Sequence, residues 1–267
     1  MAEIALVEDA RRGITLEVLV AGEEGRDAAV LVPSALRGGA DFADLQASLA
    51  EDGYRTLALN PRGAGASTPP ASDLTLRDLA DDVALVAAAL GGGRVHLVGH
   101  ALGNVVVRAT ASYRPEVAAS VAVMPCGGHN LGAYPVAPEV IEAFMRCHDD
   151  TCPAEERLLA LQIAFFAPGN DASAWLDGWW PASNLGAVSM QTDPEEWWRA
   201  GTAPVLIMQP REDAMAPTQA GRDSAAAFGD RATYVEVPRC GHAILPEQPA
   251  VIAANLVAFL RAHPLEP

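Results

Sequence analysis

The sequence predicts an α/β fold with one mostly parallel sheet flanked by helices. Short runs rich in β-branched residues alternate with longer segments of helical periodicity, and this alternation covers most of the chain. The length of 267 residues suits one large domain, and half of the residues are hydrophobic, so a sizeable core can form.

The predicted strands are short and apolar, as expected for strands that are buried on both faces of a sheet. They lie at residues 14–20, 28–32, 56–59, 95–98, 121–124, 205–208 and 233–237. The three-and-four spacing of apolar residues predicts helices between them. These helices span residues 41–50, 76–90, 102–112, 218–228 and 249–261.

Local signals mark the ends of the first two helices. Gly53 stands where the first helix should stop, and Thr75 is a suitable N-cap for the second. Three consecutive glycines, residues 91–93, end that second helix.

The alternation stops between residues 127 and 200, where Trp, Pro and Asp accumulate among irregular helical pieces. We therefore expect residues 1–126 and 201–267 to form the core of a single domain. Residues 127–200 are expected to form a helical lid over the C-terminal edge of the strands, where α/β folds bind their ligands.

The charge of the chain restricts its partners. The formal net charge is −16, and the acidic residues are spread along the whole chain, which disfavours nucleic acid and anionic membranes. No long apolar run predicts a membrane span, and the N-terminus does not resemble a secretory signal. We expect a cytoplasmic monomer or homodimer that binds a small-molecule substrate.

Residue types that are absent exclude further chemistry. Every basic side chain among the 18 is arginine, which excludes a Schiff-base lysine, a Ser–Lys pair and a phosphate-loop lysine. The four cysteines and six histidines do not form metal-ligand spacings, and in a cytoplasmic chain the cysteines are expected to be free thiols. We expect neither a metal nor a cofactor.

Four segments carry the residues on which a chemical function depends, and each follows a predicted strand. Residues 99–103 read Gly-His-Ala-Leu-Gly, between a strand and a helix. Residues 60–67 read Asn-Pro-Arg-Gly-Ala-Gly-Ala-Ser, residues 209–217 contain Asp213, and residues 240–242 read Cys-Gly-His.

This set resembles the α/β-hydrolase family, including its esterase, lactonase and cofactor-free haloperoxidase members. The segments are similar to the family's G-x-S-x-G turn, its D-x-R-G-x-G-x-S loop, its acid loop and its terminal histidine, in the same order. The resemblance implies the α/β-hydrolase fold, with Asp213 and His242 as a hydrogen-bonded pair in which the carboxylate orients the imidazole. It places Ala101 where the family carries its nucleophilic serine.

An alanine has no lone pair with which to attack a carbonyl group, so acyl-enzyme chemistry cannot proceed through Ala101. Two origins of this alanine stay open. It is either a substitution engineered to inactivate the protein or a natural feature of a divergent branch. The second origin also accounts for Asn60 and Asn104, which depart from the family pattern as well.

The resemblance further implies an oxyanion hole made by the backbone N–H groups of Ala35 and Leu102. Where the family usually has His-Gly, this chain has Pro33 and Ser34. Several side chains are candidates for substrate contact, although His100 could instead pack beneath the turn and the tryptophans could form a core of their own. The candidates are Ser34, His100, His129, Trp175, Trp179 and Trp180.

Three functions stay open at this point. The first is hydrolysis of a small, apolar ester or lactone, through a serine if the alanine is engineered, or through water activated by His242 if it is natural. The second is a cofactor-free lyase or isomerase reaction in which His242 removes a proton from carbon. The third is ligand binding without turnover, which would not require an oriented base.

Overall fold

The computed structural model describes residues 2–125, 133–186, 188 and 191–265. Its centre is an eight-stranded sheet with the order β1-β2-β4-β3-β5-β6-β7-β8. Strand β2 is antiparallel to both of its neighbours, and all other neighbouring strands are parallel. The strands are β1 (Glu3–Asp9), β2 (Ile14–Ala21), β3 (Ala28–Val32), β4 (Arg55–Leu59), β5 (Val95–His100), β6 (Ala118–Met124), β7 (Val205–Pro210) and β8 (Ala232–Val237).

Helices cover both faces of the sheet. They are α1 (Ala43–Glu51), α2 (Leu76–Leu90), α3 (Leu102–Tyr113), α4 (Pro138–Cys147), α5 (Ala154–Ala164), α6 (Thr218–Phe228), α7 (Ile244–Glu247) and α8 (Pro249–Ala262). Helices α2, α3 and α6 contribute to the core on one face, whereas α1 and α8 contribute to the core on the other. Within β3, Val30 belongs to the first core and Leu31 to the second, as the alternation of side chains along a strand requires.

The strands and helices predicted from periodicity are present, and the structure confirms the predicted helix ends. Thr75 caps α2 in a reciprocal arrangement, because its hydroxyl accepts from the backbone N–H of Asp78 and the Asp78 carboxylate accepts from its own N–H. Gly53 follows α1 at φ +85°, a left-handed conformation that glycine adopts without steric cost.

The structure contains one strand that the sequence does not predict, and one predicted strand begins three residues early; the other strand ends agree within two residues. Strand β1 was not predicted, because it is an edge strand with exposed Ile4 and Leu6 and so lacks the pattern of a buried strand. Strand β6 begins at Ala118, three residues before the predicted start, because residues 118–120 are small and weakly patterned.

Part of the described chain between β6 and β7 forms a smaller third cluster, to which Ala243 from the loop after β8 also belongs. Helices α4 and α5 pack against each other there, and the cluster also includes Phe165 and Trp175. The division of the chain into a core and a lid stays a prediction. None of the described helices is long and apolar enough to cross a membrane.

The turn between β5 and α3, residues 99–103, is packed too tightly for side chains at its two glycines. A Cβ atom at Gly103 would lie 2.0 Å from the carbonyl oxygen of Val32, and one at Gly99 would lie 2.4 Å from the carbonyl oxygen of Gly103. Between them, Ala101 adopts φ 50° and ψ −108°, a conformation that costs an L-residue on the order of 1–3 kcal/mol. We call this segment the elbow.

We predict that Gly103→Ala destabilises the protein by at least about 2 kcal/mol, because the new methyl group meets backbone atoms that cannot rotate away. The free energy of unfolding from urea denaturation measures the effect. Gly186→Ala is the matched control, since a Cβ atom there meets nothing closer than 3.8 Å. Equal stabilities of the two variants would contradict the tight packing of the elbow.

Candidate functional site

The side chains of Asp213 and His242 form a buried pair at the carboxyl ends of β7 and β8. The Nδ1 atom of His242 lies 3.0 Å from Oδ2 and 3.1 Å from Oδ1 of Asp213. The Asp213 Oδ1 atom also accepts from the backbone N–H groups of Met215 and Ala216, each at 2.8 Å. The carboxylate is therefore fixed by its own loop. Because the carboxylate accepts a hydrogen bond from Nδ1–H, the ring proton stays on Nδ1 and the Nε2 atom of the imidazole is available as a base.

His100, the residue before Ala101 in the elbow, holds the backbone of His242. Its Nε2 atom is 2.9 Å from the carbonyl oxygen of His242; since a carbonyl only accepts, the proton resides on that nitrogen. The side chain of His100 is fully buried, and burial lowers its pKa to about 3. A neutral His100 thus positions His242 at neutral pH.

A cavity of about 240 Å³ connects the elbow with this pair. Its wall includes Ala101, Leu102 and His242, together with Ser34 and Ala35 from the loop after β3. The rest of the described wall is largely apolar and comes from α3, α4 and four loops. These residues are Asn104, Val105, Arg108, Pro125, Phe144, Phe165, Trp197, Met215 and Ala216.

The two predicted oxyanion donors both belong to this wall. Leu102 is the first residue of α3, so its N–H has no acceptor within the helix and lies at the positive end of the helix dipole. Ala35 follows Ser34, whose carbonyl accepts from Arg37 and closes the loop into a turn. The arrangement can therefore place two N–H donors beside a carbonyl that occupies the cavity.

Four of the predicted substrate contacts do not line the described cavity. The side chain of His100 is buried and bonds to the backbone of His242. Trp175 and Trp179 pack in the third cluster, where the indole N–H of Trp179 donates to the Trp175 carbonyl at 2.7 Å. Trp180 is partly exposed beside Gly38, and His129 lies outside the described residues. Whether these side chains bind substrate stays a prediction.

Arg37 connects the loop of Ala35 with the segment that contains these tryptophans. Its guanidinium pairs with Asp41 at 2.6 and 2.9 Å and donates to the carbonyl of Asp177 at 2.7 Å. It also lies between the rings of Trp175 and Trp179, 4.7 Å from each centroid, in cation–π geometry. The Ala35 loop and residues 175–179 are thereby held together.

The sequence analysis predicts Leu102 but no other wall residue of α3, and none of the aromatic wall residues from later in the chain. Asn104 and Arg108 follow Ala101 at intervals of three and seven residues, a helical spacing that puts them on the same face as the elbow. That signal was present in the sequence. Phe144, Phe165 and Trp197 reach the wall through long-range packing, for which the sequence holds no periodic signal.

The comparison with known families agrees with this geometry. Residues 29–255 match the model of the alpha/beta hydrolase family. The chain belongs to this family. A protein of Variovorax paradoxus (strain S110), provisionally named carbamate hydrolase RutD, is 30% identical over 257 residues, which cover 87% of this chain and 91% of that protein.

Solved structures of other hydrolases share the fold. Carboxylesterase CesB of Bacillus subtilis is 19% identical with a TM-score of 0.76, covering 98% of this chain and 92% of that one. Epoxide hydrolase A of Mycobacterium thermoresistibile is 19% identical with a TM-score of 0.73, and the match covers both chains fully. Within the described part of this hydrolase-family chain, no three His, Cys, Asp or Glu side chains converge as metal ligands.

The buried neutral His100 predicts an acid-sensitive fold. An unfolded chain binds a proton at this residue near pH 6.5, whereas the folded chain does so only near pH 3. The stability that His100 contributes is thus present above pH 6.5 and is lost as the pH falls from there towards 3, at up to about 1.4 kcal/mol per pH unit. We expect His100→Gln, which retains a donor for the His242 carbonyl, to have a shallower slope of unfolding free energy between pH 6.5 and 4.5.

The control is Thr110→Val, which alters a buried side chain on α3 without removing a titratable group. This variant should keep the slope of the unaltered protein. If His100→Gln kept that slope too, the buried imidazole would not be the origin of the acid sensitivity.

Proposed function

We propose that this protein hydrolyses a small neutral carbonyl compound, a carbamate or an ester, by direct attack of water. One observation carries the proposal: His242, which Asp213 orients, borders the same cavity as Ala101, which has no hydroxyl group. An oriented base without a side-chain nucleophile is suited to the activation of water. Membership of a hydrolase family and the name of the Variovorax paradoxus relative support the reaction type.

The proposed reaction has two steps. The Nε2 atom of His242 accepts a proton from water, and the hydroxide forms a bond to the carbonyl carbon. The N–H groups of Ala35 and Leu102 donate to the oxygen that becomes negatively charged, while Asp213 stabilises the imidazolium. The carbon–leaving-group bond then breaks, and the leaving group takes the proton from His242.

The dimensions and charge of the molecule favour a small, uncharged substrate. The cavity of about 240 Å³ accommodates a compound of on the order of ten heavy atoms together with water. A chain with a net charge of −16 repels anions at long range. Residues 127–200 are proposed to act as the lid of this cavity, and Phe144 and Phe165 within that range form part of its wall.

The first test removes the base. We expect His242→Gln to lower kcat/KM for 4-nitrophenyl carbamate and 4-nitrophenyl acetate by about 10²–10⁴-fold, because general-base catalysis is lost. Asp213→Asn should produce a loss in the same range, because the imidazole is no longer held in the required tautomer. Steady-state kinetics with matched unfolding curves measure the effect. Full activity in both variants would refute the proposed base.

The second test restores a hydroxyl group at the elbow. Ala101→Ser adds one oxygen at the cavity wall, so we expect its free energy of unfolding to change by less than about 1 kcal/mol. The serine variant should release 4-nitrophenol from 4-nitrophenyl acetate in a burst equal to the enzyme concentration, because an acyl-enzyme accumulates. The alanine protein should show linear release without a burst.

The other outcomes of the second test separate the alternatives. A folded serine variant that is inert, beside an alanine protein that is active, would mean that the elbow cannot present a nucleophile and that only the water route operates. If neither form turns over any carbonyl compound, hydrolysis is refuted. Substrate-dependent exchange of carbon-bound hydrogen in deuterated water would then indicate proton abstraction by His242, and binding without exchange would indicate a ligand-binding protein.

A further inference from the structure

Glu247, the last residue of α7, places a partly buried carboxylate beside the loop that carries His242. Its Oε2 atom accepts from the backbone N–H of Gly241 at 2.7 Å. Its Oε1 atom accepts from the backbone N–H of Ala167 at 2.7 Å and from the side-chain amide of Asn170 at 2.6 Å. Donors from two separate segments of the chain thus converge on one carboxylate.

This set of donors requires a carboxylate at position 247. Both oxygens of Glu247 accept, whereas a glutamine has one acceptor and would turn its own NH₂ group towards an N–H donor. Burial raises the pKa of the Glu247 carboxyl, and the hydrogen bonds from Asn170, Ala167 and Gly241 oppose that shift because they stabilise the anion. The contact is therefore specific to the charged side chain.

Residues 165–170, which follow α5, lie against the loop of His242 backbone to backbone. The N–H of Ala243 donates to the carbonyl oxygen of Phe165 at 2.9 Å. A Cβ atom at Gly241 would lie 2.5 Å from that carbonyl oxygen and 2.8 Å from the backbone nitrogen of Ala167. No side chain fits between the two segments at this point, and the carboxylate of residue 247 joins them from the side.

The two joined segments carry the base and part of the cavity wall. His242 follows Gly241 directly, and its ring centroid lies 5.6 Å from that of Phe165. Both His242 and Phe165 line the cavity, whereas Glu247 does not. His100 holds the carbonyl of His242, and Glu247 holds the N–H of the residue before it. The backbone on both sides of the base is thereby fixed.

We infer that Glu247 is a positioning residue for the proposed reaction: its carboxylate sets the position of His242 relative to the wall at Phe165 without touching the substrate. The inference rests on the proposed function, because it assigns the chemical step to His242. An amide in place of the carboxylate sets an NH₂ group against an N–H donor, so the two segments move apart. A displacement of a catalytic group by about 1 Å costs about 10²-fold in rate.

The test measures hydrolysis of 4-nitrophenyl acetate by Glu247→Gln and by the unaltered protein, at a temperature where unfolding curves show both to be folded. We expect kcat to fall about 10- to 100-fold with a much smaller change in KM, because His242 acts in the chemical step. A merely structural role would lower the unfolding temperature and leave the kcat of the folded variant unchanged, and this result would overturn the inference.

The matched control is Asp78→Asn. It also replaces a carboxylate that accepts a backbone N–H by an amide, but Asp78 lies in the first turn of α2 and does not line the cavity. This variant should lose stability and keep both kcat and KM. An equal loss of kcat in Asp78→Asn and Glu247→Gln would mean that the effect is not specific to the loop of His242, and would also overturn the inference.

NMR spectra of the imidazole nitrogens separate this inference from the proposed function, because they need no turnover. The neutral His242 ring of the unaltered protein should carry its proton on Nδ1 alone, and His242→Gln assigns the signals. In Glu247→Gln we expect shifted or exchange-broadened His242 signals, since the ring is no longer held in one position against Asp213, whereas Asp78→Asn leaves them in place. If no ester is hydrolysed, the proposed function fails and the spectra alone decide. Unchanged His242 signals in folded Glu247→Gln would overturn the inference.

Discussion

The strained backbone at Ala101 is the constraint on which the rest of the site depends. Its N–H donates to the Met124 carbonyl at 2.6 Å, so the positive φ is imposed by the neighbouring strand as well as by the two flanking glycines. This conformation turns the chain from β5 into α3 within one residue. It thereby directs the first N–H of α3, and the helix face that carries Asn104 and Arg108, to the cavity. The strain persists although the residue at its centre has no reactive atom.

The base is held by contacts that are independent of the residue at position 101. Asp213 is fixed by two backbone N–H groups of its own loop, and His242 is fixed through its carbonyl by His100. The ring of Phe165 packs against the imidazole at 5.6 Å between centroids. An oriented His–Asp pair can thus persist beside an alanine, because none of these contacts involves a hydroxyl group at the elbow.

Much of the sheet could be predicted because its strands are buried on both faces and its helices have one apolar side. The edge strand β1 could not, because a strand with one exposed face and acidic ends resembles a loop in composition. The departure at Asn60 becomes clear only in three dimensions. Its amide nitrogen donates to Glu17 at 2.5 Å, and its oxygen accepts from Gly39 at 2.7 Å. An aspartate there would have set two carboxylates against each other.

The cavity wall was the least predictable part of the site. Positions on α3 follow from helical spacing once the elbow is located, but the aromatic residues of the wall do not follow from any local pattern. The five tryptophans have similar surroundings in the sequence, yet Trp197 borders the cavity while Trp175 and Trp179 enclose Arg37. Trp197 belongs to the core that α2, α3 and α6 cover, whereas Trp175 and Trp179 pack in the third cluster, and only this long-range packing decides between the positions.

Arg37 connects the loop that contains Ala35, which borders the cavity, with residues 175–179, which do not. Outward movement of residues 175–179 would break the hydrogen bond to Asp177 and remove two aromatic rings from the guanidinium. Arg37 follows Ala35 by two residues, so the same movement would displace that loop. A substitution in residues 175–179 can therefore shift the loop that contains Ala35, although those residues do not line the cavity.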